Sequence, residues 1–239
     1  MLMLSLLCRC ANSCAGIVAV WWSMRVLNLY SGLGGNRRKW PDYVEVTAVE
    51  MEPDIAEVYM SHNPNDTMII GDAHAYLLAY YDKFDFIWTS PPCPTHSRMA
   101  KATRHDVRNY PDMKLYEEIL LLQHFFKGNW VVENVKSYYD PLIKPQEMSR
   151  HYFWSNYFIP ILDIKSPSGF IGTAKGTLTP STQDLKDWLG IQYDGNIYYK
   201  GNHCPNQVLR NCVHPDLGLH VFESASQVNP STINQLSLL

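Results

Sequence analysis

Residues 25–35 read RVLNLYSGLGG. Val26–Tyr30 is a short apolar run of β type, and the serine and glycines behind it bring it to a sharp end. Glycine lacks a Cβ and tolerates positive φ. The stretch therefore predicts a strand that turns through glycines into a helix, with backbone that a ligand can approach closely. Many glycine turns bind nothing, so the weight of this one depends on the strands and turns further along the chain.

Those strands come in a regular alternation with helices. Val44–Glu50 (VEVTAVE) predicts a second strand, and Pro53 then opens a helical stretch, DIAEVYMSH. Met68–Ile70 predicts a third strand ending at Gly71-Asp72, and Phe84–Thr89 (FDFIWT) a fourth ending in Ser90-Pro91-Pro92-Cys93. The amphipathic stretch LYEEILLLQHFF leads to a fifth, Trp130–Val132, which ends at Glu133-Asn134-Val135. His151–Phe158 adds an aromatic-rich strand. Polar residues gather at the carboxyl ends of successive strands, where ligand sites lie on open, doubly wound, mostly parallel sheets. The fold class read from this order is α/β. No internal repeat or low-complexity segment interrupts it.

The chain's 239 residues fit one α/β domain, or one with a small appendage. A hydrophobic fraction of 46% against 18% charged residues supports a sizeable core and argues against disorder. A formal net charge of −3 excludes a protein held on nucleic acid by bulk charge alone. Any such contact falls to local patches. Two are present: Arg37-Arg38-Lys39, and the set Arg98, Lys101, Arg104 and Arg108. A solvated face is the alternative reading of each. The six cysteines (8, 10, 14, 93, 204 and 212) show no zinc spacing, so no metal is expected, and a reducing compartment suits them better than a disulfide framework. Residues 1–23 are apolar but lack the basic start of a secretory signal, and their apolar run is broken too early for a membrane span. They are expected to be an upstream extension of the reading frame or a dispensable arm, with the domain starting at Met24 and no membrane involved.

Glu50 closes the second strand, where a carboxylate accepts hydrogen bonds from a ribose diol. Asp72 follows the third, placed to accept from an adenine amino group. With the glycine turn, these two acids imply an adenosine-containing cofactor. The segment TSPPCPTHS sets Cys93 behind two prolines that stiffen the loop. A buried, inert cysteine is the alternative. The next strand end, VVENV, presents Glu133 at the same edge of the sheet. A thiolate beside a carboxyl group suits methylation at carbon 5 of a pyrimidine. Thiolate addition at carbon 6 converts carbon 5 into an enamine nucleophile, and a carboxyl group at ring nitrogen 3 favours that addition. The target base has to leave the duplex to reach such a site.

The order LYSGLGG, VEMEPDIA, GDAHA, TSPPCPTHS and VVENV resembles the DNA cytosine-5 methyltransferase family over residues 25–155. The resemblance implies a Rossmann-like methyltransferase fold with a very small recognition appendage, and S-adenosyl-L-methionine as cofactor. It places Tyr30, Ser31, Gly32, Leu33, Gly34, Gly35, Glu50, Met51, Asp72 and Ala73 at that cofactor, with Met51 packing on the adenine. It implies Cys93 as nucleophile, Glu133 at ring nitrogen 3, and Arg150 of SRHYFWSN on the reacting base, the family's paired arginines being reduced here to Arg-His. TLTPSTQDLKDWLGI (residues 177–191) is similar to the family's helix that supports the recognition region. KGNHCPNQVLRNCV (residues 200–213) is similar to its last motif, which returns Gly201-Asn202 to the cofactor. The implied division is 1–23 extension, 24–155 catalytic domain, 156–200 recognition and support, and 201–239 a segment returning to the catalytic domain. The implied partner is duplex DNA with a flipped cytosine, in the cytoplasm of a bacterium or a phage-infected cell. Restriction-modification, phage protection and regulation are all open as roles.

Two departures stand out. Pro94 follows the cysteine where the family has glutamine, and only about residues 156–176 remain for target recognition, which predicts a short or permissive target sequence. Four rivals remain. An exocyclic amino-methyltransferase needs an aromatic residue where Cys93 stands. Cytosine-5 methylation of RNA shares the chemistry. A silent binding module would not need Cys93 and Glu133, and methylation of free nucleotides would need no recognition region. His96, His151, His203 and His214 receive no role, Cys204 and Cys212 are expected in the core, and the polar tail from Glu223 carries no motif.

Overall fold

The computed structural model describes residues 23–97, 110–170, 179–199 and 204–226. Its strands are β1 (Met24–Leu29), β2 (Val44–Glu50), β3 (Thr67–Ile70), β4 (Phe86–Thr89), β5 (Asn129–Val135), β6 (Gln146–Met148) and β7 (His151–Ser155). The helices are α1 (Pro53–His62), α2 (Ala73–Tyr80), α3 (Lys114–Phe125), α4 (Thr182–Leu189), α5 (Asn206–Arg210) and α6 (Pro215–Ser226). The seven strands form one sheet in the order β3-β2-β1-β4-β5-β7-β6. β1 to β5 pair in parallel, whereas β7 runs antiparallel to both β5 and β6. The order reverses at β1, which has β2 on one side and β4 on the other, and ligands bind at such a switch point.

Both faces of the sheet are covered, so its central strands read as near-continuous apolar runs. On one face Val26, Val46, Phe86, Trp88, Val131 and Phe153 pack against Leu217, Val221 and Phe222 of α6. On the other, Leu27, Leu29, Val49, Ile87 and Val132 pack against Leu77 of α2 and Leu115, Ile119 and Leu122 of α3. A third cluster joins Leu33 and Ile55 to Leu185, Leu189, Val208 and Leu209 of α4 and α5. α4 begins with a capping box between Ser181 and Asp184 and ends at Gly190 in the left-handed region, the stop signals that its sequence carries.

Several sequence expectations are corrected. The glycine stretch does not run into a helix: residues 32–39 form successive turns, with Gly34 N–H donating to the Ser31 carbonyl and Arg38 N–H to that of Gly34. Within the run Arg37-Arg38-Lys39 only Arg37 is withdrawn from solvent, while Arg38 and Lys39 stay exposed. Arg37 is buried in a two-pronged ion pair with Asp66 (2.9 and 3.0 Å), Arg38 donates to the carbonyls of Gly190 and His62, and Lys39 pairs with Asp216. These ties, with Trp40 stacked on Phe222 at 5.0 Å, hold the segment in turns. β7 stops at Ser155 because the Asn156 side chain caps neighbouring backbone at Trp130 and Gly128. Cys212 is buried as expected, but Cys204 is exposed and not a core residue. Residues 156–170 form neither helix nor strand. Among the described residues no helix is long and apolar enough to cross a membrane, and no group of three or more His, Cys, Asp or Glu could hold a metal.

Candidate active site

The residues expected at a cofactor sit on the ends of β1, β2 and β3. Tyr30 leaves β1 at φ 53°, a left-handed conformation that few residues other than glycine adopt. Ser31 then hooks onto β2, its N–H donating to the Val49 carbonyl at 3.0 Å, while its buried hydroxyl has no hydrogen-bond partner. Gly32 adopts φ +54°, and a Cβ there would meet nothing nearer than the Tyr30 carbonyl oxygen at 4.0 Å. Gly35 is different: a Cβ there would collide with the Val213 carbonyl, so close packing accounts for this glycine. Leu33 gives its side chain to the third core cluster, and Ala73 is buried against the second. Either one can meet a cofactor only through its backbone.

Glu50 closes β2 as a clamp. Its Oε2 accepts from Gly32 N–H at 2.9 Å, and its Oε1 from the N–H groups of Met51 (2.8 Å) and Glu52 (3.0 Å). Asp72 caps α2, its Oδ1 accepting from Ala75 N–H. Met51 and Ile70, at the ends of β2 and β3, each stand 58% exposed and offer apolar surface beside Asp72. An orphaned hydroxyl, an open glycine, two carboxylates and exposed apolar side chains fit an adenosine-bearing group. Asn202 and the cations Arg98, Lys101, Arg104 and Arg108 lie outside the described residues.

The reactive side lies one strand over. The Pro91 carbonyl accepts from Asn134 Nδ2 at 3.0 Å, and the Cys93 carbonyl accepts from the N–H groups of both His96 and Ser97 at 3.0 Å. These bonds curl the loop tightly after β4. Thr89 pairs with Val132, so the Cys93 loop leaves the sheet from the strand next to Glu133, which stays within β5 opposite Phe153. Burial and the neighbouring Glu133 push the Cys93 thiol up to about 11, against a smaller pull from Arg150. Glu133 is 6% exposed, and its Oε1 accepts from Nδ1 of His151 at 2.5 Å, while Oε2 has no partner among the described residues. In the antiparallel ladder Val135 faces His151, which places His151 diagonally from Glu133 on the same face.

Arg150 lies within electrostatic reach of Glu133 and Cys93. Its guanidinium donates to the carbonyls of Arg210 (2.8 Å) and Cys212 (2.9 Å) and lies 4.4 Å over the Phe170 ring. Burial lowers its pKa, opposed by Glu133. His96 is buried beside the loop with Nδ1 2.6 Å from the Tyr139 hydroxyl, and burial lowers its pKa, favouring the neutral ring.

Two residues without a sequence-assigned role belong to this centre. His151 is one; its partnership needs an antiparallel register that no local pattern reveals. Glu118 is the other. It is completely buried, and its Oε1 accepts from the Tyr30 hydroxyl (2.7 Å) and His74 Nδ1 (3.0 Å), its Oε2 from Thr89 Oγ1 (2.6 Å). A signal for it exists, because Leu115, Glu118, Ile119 and Leu122 share one helical face and the acid interrupts its apolar stripe.

The sheet order, the reversed β7 and a site at the carboxyl edge define a Rossmann-like methyltransferase fold. Residues 24–141 match the family model for C-5 cytosine-specific DNA methylase. No curated protein matches the chain. Three of the similar solved structures place the match in proportion. A DNMT2 mutant from Spodoptera frugiperda is 24% identical, with 48% of this chain and 36% of that one covered at a TM-score of 0.34. A candidate DNA modification methyltransferase from an Escherichia coli prophage is 16% identical, with 73% and 57% covered at 0.36. A SAM-dependent methyltransferase from Agrobacterium tumefaciens is 14% identical, with 48% and 40% covered at 0.34. The chain thus spans about a third of the length of the DNMT2 protein.

Proposed function

We propose that this protein methylates carbon 5 of cytosine in duplex DNA through a covalent adduct at Cys93. The observation that carries the reading is the Cys93 thiol beside Glu133, whose carboxyl group keeps one oxygen open while His151 holds the other. S-adenosyl-L-methionine, when bound, supplies an electrophilic methyl group. Tyr30, Ser31, Gly32, Glu50, Met51 and Asp72 would hold it, with backbone contributions from Leu33, Gly34, Gly35 and Ala73. Asn202 belongs to the same set by family resemblance.

Cys93 rests as a neutral thiol, because a thiolate there would be buried and would face the Glu133 charge. A flipped cytosine changes that balance. With the base in place Glu133 takes up a proton from solvent, which relieves its opposing charge, and passes that proton to ring nitrogen 3 as sulfur adds, which makes the ring a better electrophile. The thiol gives its proton to water as sulfur bonds to carbon 6. Carbon 5 takes the methyl group as the methyl–sulfonium bond breaks and the thioether is released; water then takes the proton of carbon 5, the ring double bond re-forms, the Cys93 sulfur is expelled, and the proton on nitrogen 3 returns to Glu133. Arg150 stands within electrostatic reach of Glu133 and the adduct. The short stretch 156–176 leaves few side chains to read base edges, which supports a permissive target sequence.

The test uses radiolabelled S-adenosyl-L-methionine with duplex DNA carrying fluorine at carbon 5 of cytosine. Fluorine does not leave as the proton does, so a protein–DNA adduct should accumulate and vanish in Cys93→Ala. Methyl transfer to ordinary DNA without any adduct would move the chemistry to an exocyclic nitrogen. Transfer to RNA or to free nucleotides alone would replace the substrate.

A further inference from the structure

We propose that Glu118 is a positioning residue that sets the cofactor loop and the Cys93 loop against each other. The inference rests on the function proposed above. Three donors meet at this carboxylate, each from a different part of the site. Tyr30 is the last residue before Ser31 and sits in a conformation unfavourable for a tyrosine, held there by its hydroxyl on Oε1. Thr89 is the last residue of β4, four residues before Cys93, and donates to Oε2. His74 lies in the first turn of α2, two residues after Asp72, and shares Oε1 with Tyr30.

β1 and β4 are neighbours at the point where the sheet order reverses, with Leu29 opposite Thr89. Glu118 therefore lies beneath the switch point and bonds to both strands that leave it. The surrounding α3 face is apolar: Leu115, Ile119 and Leu122 belong to the core, where a hydrophobic side chain would satisfy packing alone. What a carboxylate adds there is geometry, because a saturated buried network permits one arrangement of its donors. A shift of Tyr30 on cofactor binding moves Glu118 and, through Oε2, the strand end that carries Cys93.

The test uses the full chain and two readouts that do not need turnover. One is calorimetric titration with S-adenosylhomocysteine; the other is the rate of Cys93 alkylation by iodoacetamide, followed on the Cys93 peptide by mass spectrometry. Thr89→Val removes only a donor, from the strand that carries the nucleophile, yet it should weaken S-adenosylhomocysteine by about fivefold or more. Tyr30→Phe, on the cofactor side, should change Cys93 alkylation by a factor of about three or more. Glu118→Gln should move both. If that variant unfolds, the two single-donor variants carry the test. Variants that melt like the parent but leave both cross-effects within about twofold would overturn the coupling. Failure of the parent to bind S-adenosylhomocysteine at all would instead overturn the cofactor reading, and the coupling with it.

Discussion

Glu118 and Glu133 are both buried carboxylates near the carboxyl edge of one sheet, yet they are held in opposite ways. Glu118 has no exposed surface and three donors, one oxygen taking two and the other one. Glu133 has one donor, His151, and an oxygen left open beside a thiol. A saturated carboxylate fixes structure. One with a spare lone pair and a nearby nucleophile is equipped for chemistry, since unspent hydrogen-bonding capacity in a buried place needs a reason.

The largest effect that would break this contrast is on rate. Glu133→Gln keeps the shape and the fold but removes the proton donor, and methyl transfer should fall by about 10²–10⁴-fold. Single-turnover assays on cytosine-containing duplex would show it, and a loss below tenfold would deny Glu133 its role. The next effect is on stability. Glu118→Leu strands the Tyr30, Thr89 and His74 donors, so it should cost about 3–5 kcal/mol in urea unfolding. The same change at Glu133 should cost clearly less, and equal costs would erase the distinction between the two acids.

The smallest effect sharpens the contrast through pH. The hydrogen bond to Glu118 raises the His74 pKa, with Glu117 adding to it and desolvation and Lys114 opposing. A raised histidine pKa stabilises the fold fully below the unfolded value. That stability is lost as pH climbs through the folded value. The parent should therefore exceed His74→Asn by about 1 kcal/mol at the acid end of that window, with the gap closing on the alkaline side. Thermal melts across pH 5.5 to 9 check it, and a constant gap would leave the imidazolium with no part in the network.

Much of this architecture is visible in the sequence, and the exceptions share a cause. β1, β4 and β5 announce themselves because parallel strands buried on both faces read as apolar runs, β2 and the edge strand β3 are legible as β-branched runs between turn residues, and Pro53 marks the start of α1. The acids Glu50, Asp72 and Glu133 and the thiol Cys93 are readable for the same reason: each comes at the end of such a run. What escapes depends on distant partners. The turns after Gly32 exist because Arg37 finds Asp66 and Trp40 finds Phe222, neither of which is local. His151 matters only through the antiparallel register of β7 on β5. Glu118 is the instructive exception, since its place on an apolar helical face is written locally; only its three donors are not.

The contact of Gly35 with the Val213 carbonyl has a parallel in Gly218, where a Cβ would collide with Asn36. The loop after the first strand is thus walled by residues translated about 180 positions later. During synthesis β1 to β5 can leave the ribosome and begin to pair, but the wall of that loop arrives only with residues 212–222. A nascent chain paused before them would hold much of its sheet and no finished loop after β1. Competence to bind a ligand would then come abruptly, after the sheet has formed and not along with it.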